Sequence, residues 1–327
     1  MLKYHAAIIG LGKIAWRYDS QLISSIDSRT HARTYVLSDR AALSGGCSIN
    51  PEDREAFKQV YQVPVYSDPV RMIEEVRPDI VSICSPTEYH FEHTIAAMEA
   101  GIPMIWLEKP PVSTLRQLDF LINRQAESRS KPKILVGYQR RYTPIFKRLK
   151  DILQKDTLGQ LHSIHVNYSR GLMNNGSHYI DLLFFLLGDS LEPKLLFTSD
   201  NGGFENPTFG LLFPDGPSVF FSGLDVPYHC MDLSVTCEGG RASILYGGIE
   251  SLWEEKVEQD LYPGNFRLKE GCSNPLGRGD SSGVMMEELN DLIDAYENDT
   301  DPISNLYTAR NTLQLLESVW WHMGRMG

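Results

Sequence analysis

Two hydrophobic periods alternate along the first 140 residues. Short apolar runs at 6–10 (AAIIG), 42–49 (ALSGGCSI), 64–66 (PVY), 79–84 (DIVSIC), 103–107 (PMIWL) and 133–138 (KILVGY) read as strands. Between them, EDREAFKQVY, DPVRMIEEV, EYHFEHTIAAMEAG and STLRQLDFLINRQAE carry apolar residues at three-to-four spacing and read as amphipathic helices. That alternation predicts an α/β fold, a doubly wound parallel sheet with helices on both faces. After about residue 155 the pattern becomes β-type, at 161–171, 193–200, 208–214, 218–226, 231–240 and 241–248, punctuated by Gly, Pro, Asn and Asp. A mostly antiparallel sheet is expected there. One helix interrupts it at about 176–187, and two more are expected at 283–298 and 304–323, the last capped by Ser304 or Asn305. The stretch 263–283, PGNFRLKEGCSNPLGRGDSSG, reads as a long mobile loop. Two domains follow, 1–140 and 141–327, with the C-terminal helix a candidate to pack back on the first.

Composition narrows the partners. With 31 Lys+Arg against 42 Asp+Glu the net charge is −11, and no run of five or more basic residues offsets it. Nucleic acid and anionic membrane are therefore poor partners, and a small-molecule substrate is expected. The five cysteines form no C-x-x-C pair, and an odd number cannot all pair within one chain, which suggests a reducing cytoplasm. The opening MLKYHAAIIGLG enters a strand without a signal-like apolar stretch. No metal-binding motif or G-x-S-x-G elbow is present; His162 and His165 fall on opposite faces of a predicted strand.

Directly after the first strand, Gly10, Gly12 and Ala15 stand in G-x-G-x-x-A spacing, with Lys13 and Ile14 between them. In a dinucleotide site the first glycine permits the turn, the second lets backbone approach the pyrophosphate, and the third small residue allows close helix packing. The second strand lacks the carboxylate that usually takes the ribose hydroxyls. Ser48 stands there instead, with Arg54 a turn and a half on, a pairing that could accommodate a 2′-phosphate and leans the reading from NAD toward NADP. Alternatively Asn50 or backbone groups serve the ribose of NAD. Residues 16–35 exceed the usual single helix and predict a loop followed by a helix starting near Thr30, either a flap over the cofactor or a surface excursion.

GLGKIA at 10–15, SPTEYH at 85–90, LEKPP at 107–111, GYQRRYTP at 137–144 and NNGSHYID at 174–181 occur in one order. In these five motifs the chain resembles the glucose-fructose oxidoreductase, inositol dehydrogenase and rhizopine-catabolism family, Gfo/Idh/MocA. The resemblance implies an NAD(P)-dependent oxidoreductase acting on a sugar or sugar derivative. It makes Lys109 the catalytic lysine, puts Glu108 near the nicotinamide ribose, and lets Ser85, Pro86 and Thr87 line the nicotinamide end, with His90 sharing that role. Independently of the name, oxidising a secondary alcohol needs a general acid/base within reach of the hydroxyl, and a lysine at the carboxyl end of a parallel strand points into the ligand crevice. Partial burial and the oxidised cofactor's charge would disfavour its ammonium form. Taken alone, Glu108 and Lys109 would read as a surface ion pair, and Thr87 and His90 as a helix cap and a surface histidine.

For the second domain the resemblance implies that His178 contacts the substrate hydroxyl, with Asp181 one turn later able to orient it. Asn174 stands where the family commonly has Asp. An amide cannot take a proton, which loads proton transfer onto Lys109. Tyr138, Arg140, Arg141 and Tyr142 lie at the junction, and one Arg could face an anionic or polyhydroxylated substrate; the alternative is packing and ion pairing. Tyr168 and Arg170 are further substrate-site candidates. The resemblance also implies a homodimer or homotetramer. Two rival functions stay open: a cofactor-binding regulator or scaffold that has lost the chemistry, and an NAD-dependent glycosidase of the same superfamily.

Overall fold

In the computed structural model the described residues are 4–19, 27–201, 203, 205–214, 216–271 and 273–324. They fall into two compact units, 1–139 with 282–310, and 140–281 with 311–327.

The first unit runs β1 (Tyr4–Ile9), α1 (His31–Leu37), β2 (Ala41–Cys47), α2 (Pro51–Tyr61), β3 (Val65–Tyr66), α3 (Pro69–Val76), β4 (Ile80–Ile83), α4 (Thr87–Glu99), β5 (Met104–Leu107), α5 (Leu115–Glu127) and β6 (Lys133–Val136). Its six strands are parallel in the order β3-β2-β1-β4-β5-β6. Every residue of β4 and β5 is buried. Successive side chains of a strand point to opposite faces, so both faces are covered, and this is why these strands read as unbroken apolar runs. The helices start where their caps allow: the Asn50 and Asp68 side chains accept from Glu52 N and Arg71 N, each with a proline in the first turn.

The excursion after the glycine turn has a closed neck. Trp16 N donates to Gly12 O at 3.3 Å, closing one helical turn. The chain then leaves, and on return His31 N and Ala32 N donate to Ile14 O at 3.2 Å and Ala15 O at 2.9 Å. Buried Asp19 seals the neck by accepting from Arg29 N and Thr30 Oγ1, both at 2.8 Å. The expected helix is α1, with Thr30 as its cap. Of the excursion itself, residues 20–26 lie outside the described residues.

The second unit contains α6 (Pro144–Gln154), β7 (Leu161–Tyr168), a π-helical turn (Gly171–Gly176), α7 (Ser177–Leu187), and strands β8 (Lys194–Ser199), β9 (Thr208–Leu212), β10 (Ser218–Gly223), β11 (Met231–Cys237), β12 (Gly240–Leu245), β13 (Glu250–Gln259) and β14 (Tyr262–Glu270). Its sheet has the order β14-β13-β12-β11-β7-β10-β9-β8 and is antiparallel except between β7 and β10. In β7, Ile164, Val166 and Tyr168 are buried while His165 and Asn167 are exposed, so one face carries the core. The chain continues into α8 (Val284–Glu297) and α9 (Leu306–His322). Asn305 Oδ1 accepts from Tyr307 N and Thr308 N, making it the cap of α9, while the Ser304 hydroxyl donates to Val136 O.

Three features correct the sequence expectation, one being strand β13, which falls where the pattern predicts no element. Residues 263–270 do not belong to a loop; they lie in β14, paired antiparallel with β13. Pro263 and Gly264 hid the strand, and every residue of β14 is exposed, so no alternation marks it; as an edge strand it tolerates a proline. Helix α6, whose apolar stripe is Ile145, Phe146 and Leu149, lies where no element was assigned. Cys47, Cys84, Cys230 and Cys237 are buried and unpaired, and Cys272 lies outside the described residues. No helix among the described residues is long and apolar enough to cross a membrane.

Candidate active site

The parallel ladder ends on a single row, with Ile9 opposite Cys47 and Ile83, Ile83 opposite Leu107, and Leu107 opposite Val136. The next residue of each strand is Gly10, Ser48, Cys84, Glu108 or Gly137. Strand register alone thus brings the glycine turn, Ser48 and the Glu108–Lys109 turn to one edge, at the carboxyl ends of the strands. The strand order reverses between β1 and β4, which is where open α/β sheets bind ligands.

Gly10 has φ +92°, and a β-carbon there would lie 2.4 Å from Ser85 N, so only glycine fits. At Gly12 a β-carbon would meet nothing within 4 Å, which leaves its backbone approachable. Ala15 is fully buried, Ile14 is half-buried and Lys13 is exposed. This is the arrangement a dinucleotide pyrophosphate requires, and the residues present fit that group. At the end of β2 the Ser48 hydroxyl accepts from Asn50 N, and Arg54 Nη1 donates to Ser48 O at 2.7 Å and Ile49 O at 3.0 Å. Arg54 is held at the strand end, and the Asn50 side chain is engaged as a cap.

After β4, Ser85 is nearly buried, its hydroxyl 2.9 Å from His93 Nδ1, while Pro86 is exposed and Thr87 half-buried. The cap position of α4 is Pro86, and Thr87 makes no capping bond. His90 is not the surface residue of the alternative reading. Its ring is 1% exposed and spans Ser85 O at 2.8 Å and Pro110 O at 2.9 Å, tying the turn after β4 to the turn after β5.

Glu108 is buried and Lys109 half-buried. Glu108 Oε2 accepts from Lys109 N at 3.3 Å, and Oε1 lies 3.0 Å from His31 Nε2. Burial alone would raise the Glu108 pKa; the His31 hydrogen bond and the neighbouring His31, Lys109 and His90 side chains outweigh it and hold the carboxyl below its ordinary value. Behind it Glu288, on α8, is fully buried, and neither carboxyl oxygen has a hydrogen-bond partner among the described residues. Burial, reinforced by the charges of Glu108 and Asp291, pushes its pKa well up. Neither His31 nor Glu288 carries a sequence signal of this role: His31 lies 77 positions from Glu108, and Glu288 reads as one of several acids near the start of a helix.

In the second unit Arg141 and Asp181 are drawn together and closed off. Arg141 Nε contacts both Asp181 oxygens at 2.9 and 3.0 Å, and Nη2 reaches Asp189 Oδ1 at 2.7 Å, with the Arg141 and Asp181 side chains 1% and 0% exposed. Paired carboxylates hold the guanidinium firmly charged. Ion pairing, the alternative considered for the arginines, is what the structure assigns to Arg141, and Asp181 is turned to Arg141. Tyr168 is fully buried and its hydroxyl donates to Pro207 O at 2.6 Å. Tyr138, in the first unit, is also fully buried.

Arg140 differs from its neighbour. Its guanidinium lies over the Tyr179 ring at 5.1 Å, with Nη2 3.0 Å from Met231 Sδ and Nε without a hydrogen-bond partner among the described residues. Burial lowers its pKa, and among the described residues no carboxylate offsets the desolvation. Asn174 is exposed on the π-helical turn, and His178 is half-buried in the first turn of α7. Arg170 is exposed with φ 64°.

Comparison with known proteins agrees with this geometry. Residues 4–138 match the Gfo/Idh/MocA family, described as an oxidoreductase family with an NAD-binding Rossmann fold. The D-glucoside 3-dehydrogenase of Escherichia coli is 30% identical over 172 residues, 52% of this chain and 44% of that protein. The chain spans about half the length of the curated relatives it matches. The structure of myo-inositol 2-dehydrogenase from Lactobacillus plantarum superposes with a TM-score of 0.76 at 20% identity, covering 99% of this chain and 98% of that one. The WlbA dehydrogenase of Bordetella pertussis, solved with NADH and UDP-GlcNAcA, gives a TM-score of 0.74 at 18% identity over 98% and 96% of the two chains.

Proposed function

We propose, from the match of residues 4–138 to the Gfo/Idh/MocA family and the likeness to its sugar and inositol dehydrogenases, that the chain is an NAD(P)-dependent oxidoreductase of a sugar or polyol. The observation that carries the proposal is the single edge where Gly10, Ser85 and the Glu108–Lys109 turn meet at the carboxyl end of the parallel sheet. Gly10, Gly12, Lys13 and Ile14 would hold the pyrophosphate, Ser48 and Arg54 the adenosine ribose and the 2′-phosphate of NADP, and Ser85, Pro86, Thr87 and Glu108 the nicotinamide end. When bound, the nicotinamide supplies the hydride acceptor or donor.

Lys109 is the proposed acid/base. It removes the proton from the substrate hydroxyl as the carbon is oxidised, and returns it in the reverse direction. His178 and Asn174 are proposed hydrogen-bond partners of the substrate. Arg140, a desolvated cation with no carboxylate bonded to it among the described residues, is the arginine proposed to meet an electron-rich substrate group. Self-association into a homodimer or homotetramer is proposed from the exposed Leu196, Phe197 and Leu212 of β8 and β9; a monomer by sedimentation equilibrium would remove that part. One second reading has its own observation. Asn174 cannot take a proton, as a regulator or scaffold without turnover would tolerate.

The test is Lys109→Met. Cofactor affinity, followed by NADH and NADPH fluorescence, should stay near wild type while turnover falls at least about a hundredfold. Turnover within a few-fold of wild type would remove Lys109 from the chemistry.

A further inference from the structure

Helix α1 follows the excursion and makes no obvious claim on the chemistry, yet its first residue reaches the Lys109 turn. His31 is fully buried, packed on Trp106 with ring centroids 4.1 Å apart. Its Nε2 is 3.0 Å from Glu108 Oε1 and its Nδ1 is 2.9 Å from Ser82 Oγ, which in turn is 2.6 Å from Tyr35 Oη. An ionised carboxylate only accepts, so Nε2 carries the hydrogen toward Glu108. Nδ1 then accepts from Ser82, and Ser82 from Tyr35. Each group in the chain from Tyr35 through Ser82 and His31 to Glu108 has a partner of the right polarity when the imidazole is neutral.

Two further features bear on Glu108, and a third ties His31 to the glycine turn. Its Oε2 takes the Lys109 backbone N–H. A β-carbon at Gly137 would lie 3.3 Å from Oε1 and 3.4 Å from Oε2, so the residue after β6 leaves room for this carboxylate and little else. The His31 backbone N–H donates to Ile14 O, in the glycine turn. One residue therefore joins the turn that would cradle the pyrophosphate to the carboxylate that holds the Lys109 backbone.

We propose that His31 is a positioning residue: it fixes Glu108, and through Glu108 the turn from which Lys109 acts, in register with the glycine turn. This rests on Lys109 being the acid/base proposed above. A displacement of about an ångström at a catalytic group costs up to about a hundredfold in rate. Loss of the imidazole should therefore show in kcat, while the His31 backbone bond to Ile14 keeps the cofactor turn in place.

The experiment compares His31→Leu, His31→Gln and Lys109→Met in the full chain, by NADH fluorescence titration, thermal unfolding, and kcat and KM on the best substrate of a sugar and polyol panel. His31→Leu should lower kcat about tenfold to a hundredfold, with NADH affinity and KM within about threefold. His31→Gln, whose amide can still donate to Glu108, should recover at least half of that loss on a logarithmic scale, whatever the two variants do to the unfolding temperature. A folded His31→Leu with kcat within about threefold of wild type overturns the proposal; so does His31→Gln no better than His31→Leu. If His31→Leu does not fold, Gly137→Ala, which crowds Glu108, decides: a folded Gly137→Ala with kcat within about threefold of wild type overturns it. Should Lys109→Met itself turn over normally, the assignment of Lys109 fails first, which separates the two failures.

Discussion

The buried cluster of Arg141, Asp181 and Asp189 offers a stability test that also separates two roles for Asp181. Asp181 and Asp189 both bond the guanidinium, and the Asp189 contact, at 2.7 Å, is the shorter. Burial distinguishes them, for the Asp181 side chain is 0% exposed and that of Asp189 is 39%. Removing one partner of a buried ion pair leaves an uncompensated charge and costs about 3–5 kcal/mol. Asp189 remains in the Asp181→Ala variant, so the lower end of that range, about 3 kcal/mol, is expected. Asp189→Ala leaves the buried pair intact and should cost less than about 1 kcal/mol, as exposed pairs do. With a urea slope of about 2–3 kcal/mol per molar, Asp181→Ala should move the unfolding midpoint down by about 1 M or more, and Asp189→Ala by a third of that or less. Circular dichroism during a urea titration reads both. Equal shifts for the two variants would refute the burial argument. A negligible shift for Asp181→Ala, accompanied by lost substrate affinity, would return Asp181 to the substrate site.

Two more predictions follow from the first unit. Glu288 has a folded pKa raised above its unfolded value, so its contribution is fully present below the ordinary carboxyl pKa and is lost as pH rises through the folded value. Glu288→Gln should flatten that loss, and the melting temperature of wild type relative to the variant should fall as pH rises above the ordinary carboxyl range; an unchanged difference as pH rises contradicts the burial of a protonated acid. Gly10→Ala places a β-carbon 2.4 Å from Ser85 N in a positive-φ turn, so it should weaken NADH binding at least about tenfold and lower the melting temperature; NADH binding within about twofold of wild type would show that the turn can rearrange.

Much of the fold was legible because burial leaves a period. Strands β4 and β5 are covered on both faces and announce themselves as apolar runs, and β7 alternates because one of its faces is buried. β14 has no buried residue and contains Pro263 and Gly264, so only its pairing with β13 reveals it. The site divides in the same way. Gly10 and Glu108 follow strands, and strand register places them. Arg141 and Asp181 were singled out as a charge-bearing junction and helix turn, but their mutual closure spans 40 positions and cannot be read from local pattern. His90 was read as ligand-facing or exposed because α4 has a weak apolar stripe, and its burial depends on two carbonyls from different turns. His31 and Glu288 gave no signal at all. A histidine opening a short helix and an acid near the start of another look ordinary until the fold sets them near Glu108.

The most direct test of the account is hydride transfer by the wild-type protein. Purified protein, stripped of cofactor, is titrated with NADH and NADPH, and then mixed with NAD⁺ or NADP⁺ and a panel of sugars and polyols that includes myo-inositol and glucosides, while the reduced cofactor is followed by absorbance. The account predicts saturable binding of at least one reduced cofactor, tighter for NADPH if Ser48 and Arg54 read the 2′-phosphate, and steady reduction of the matching oxidised form by at least one panel member. Saturable binding with no reduction by any of them, and no oxidation of reduced cofactor by the corresponding ketoses, would contradict it and leave a cofactor-binding protein without turnover.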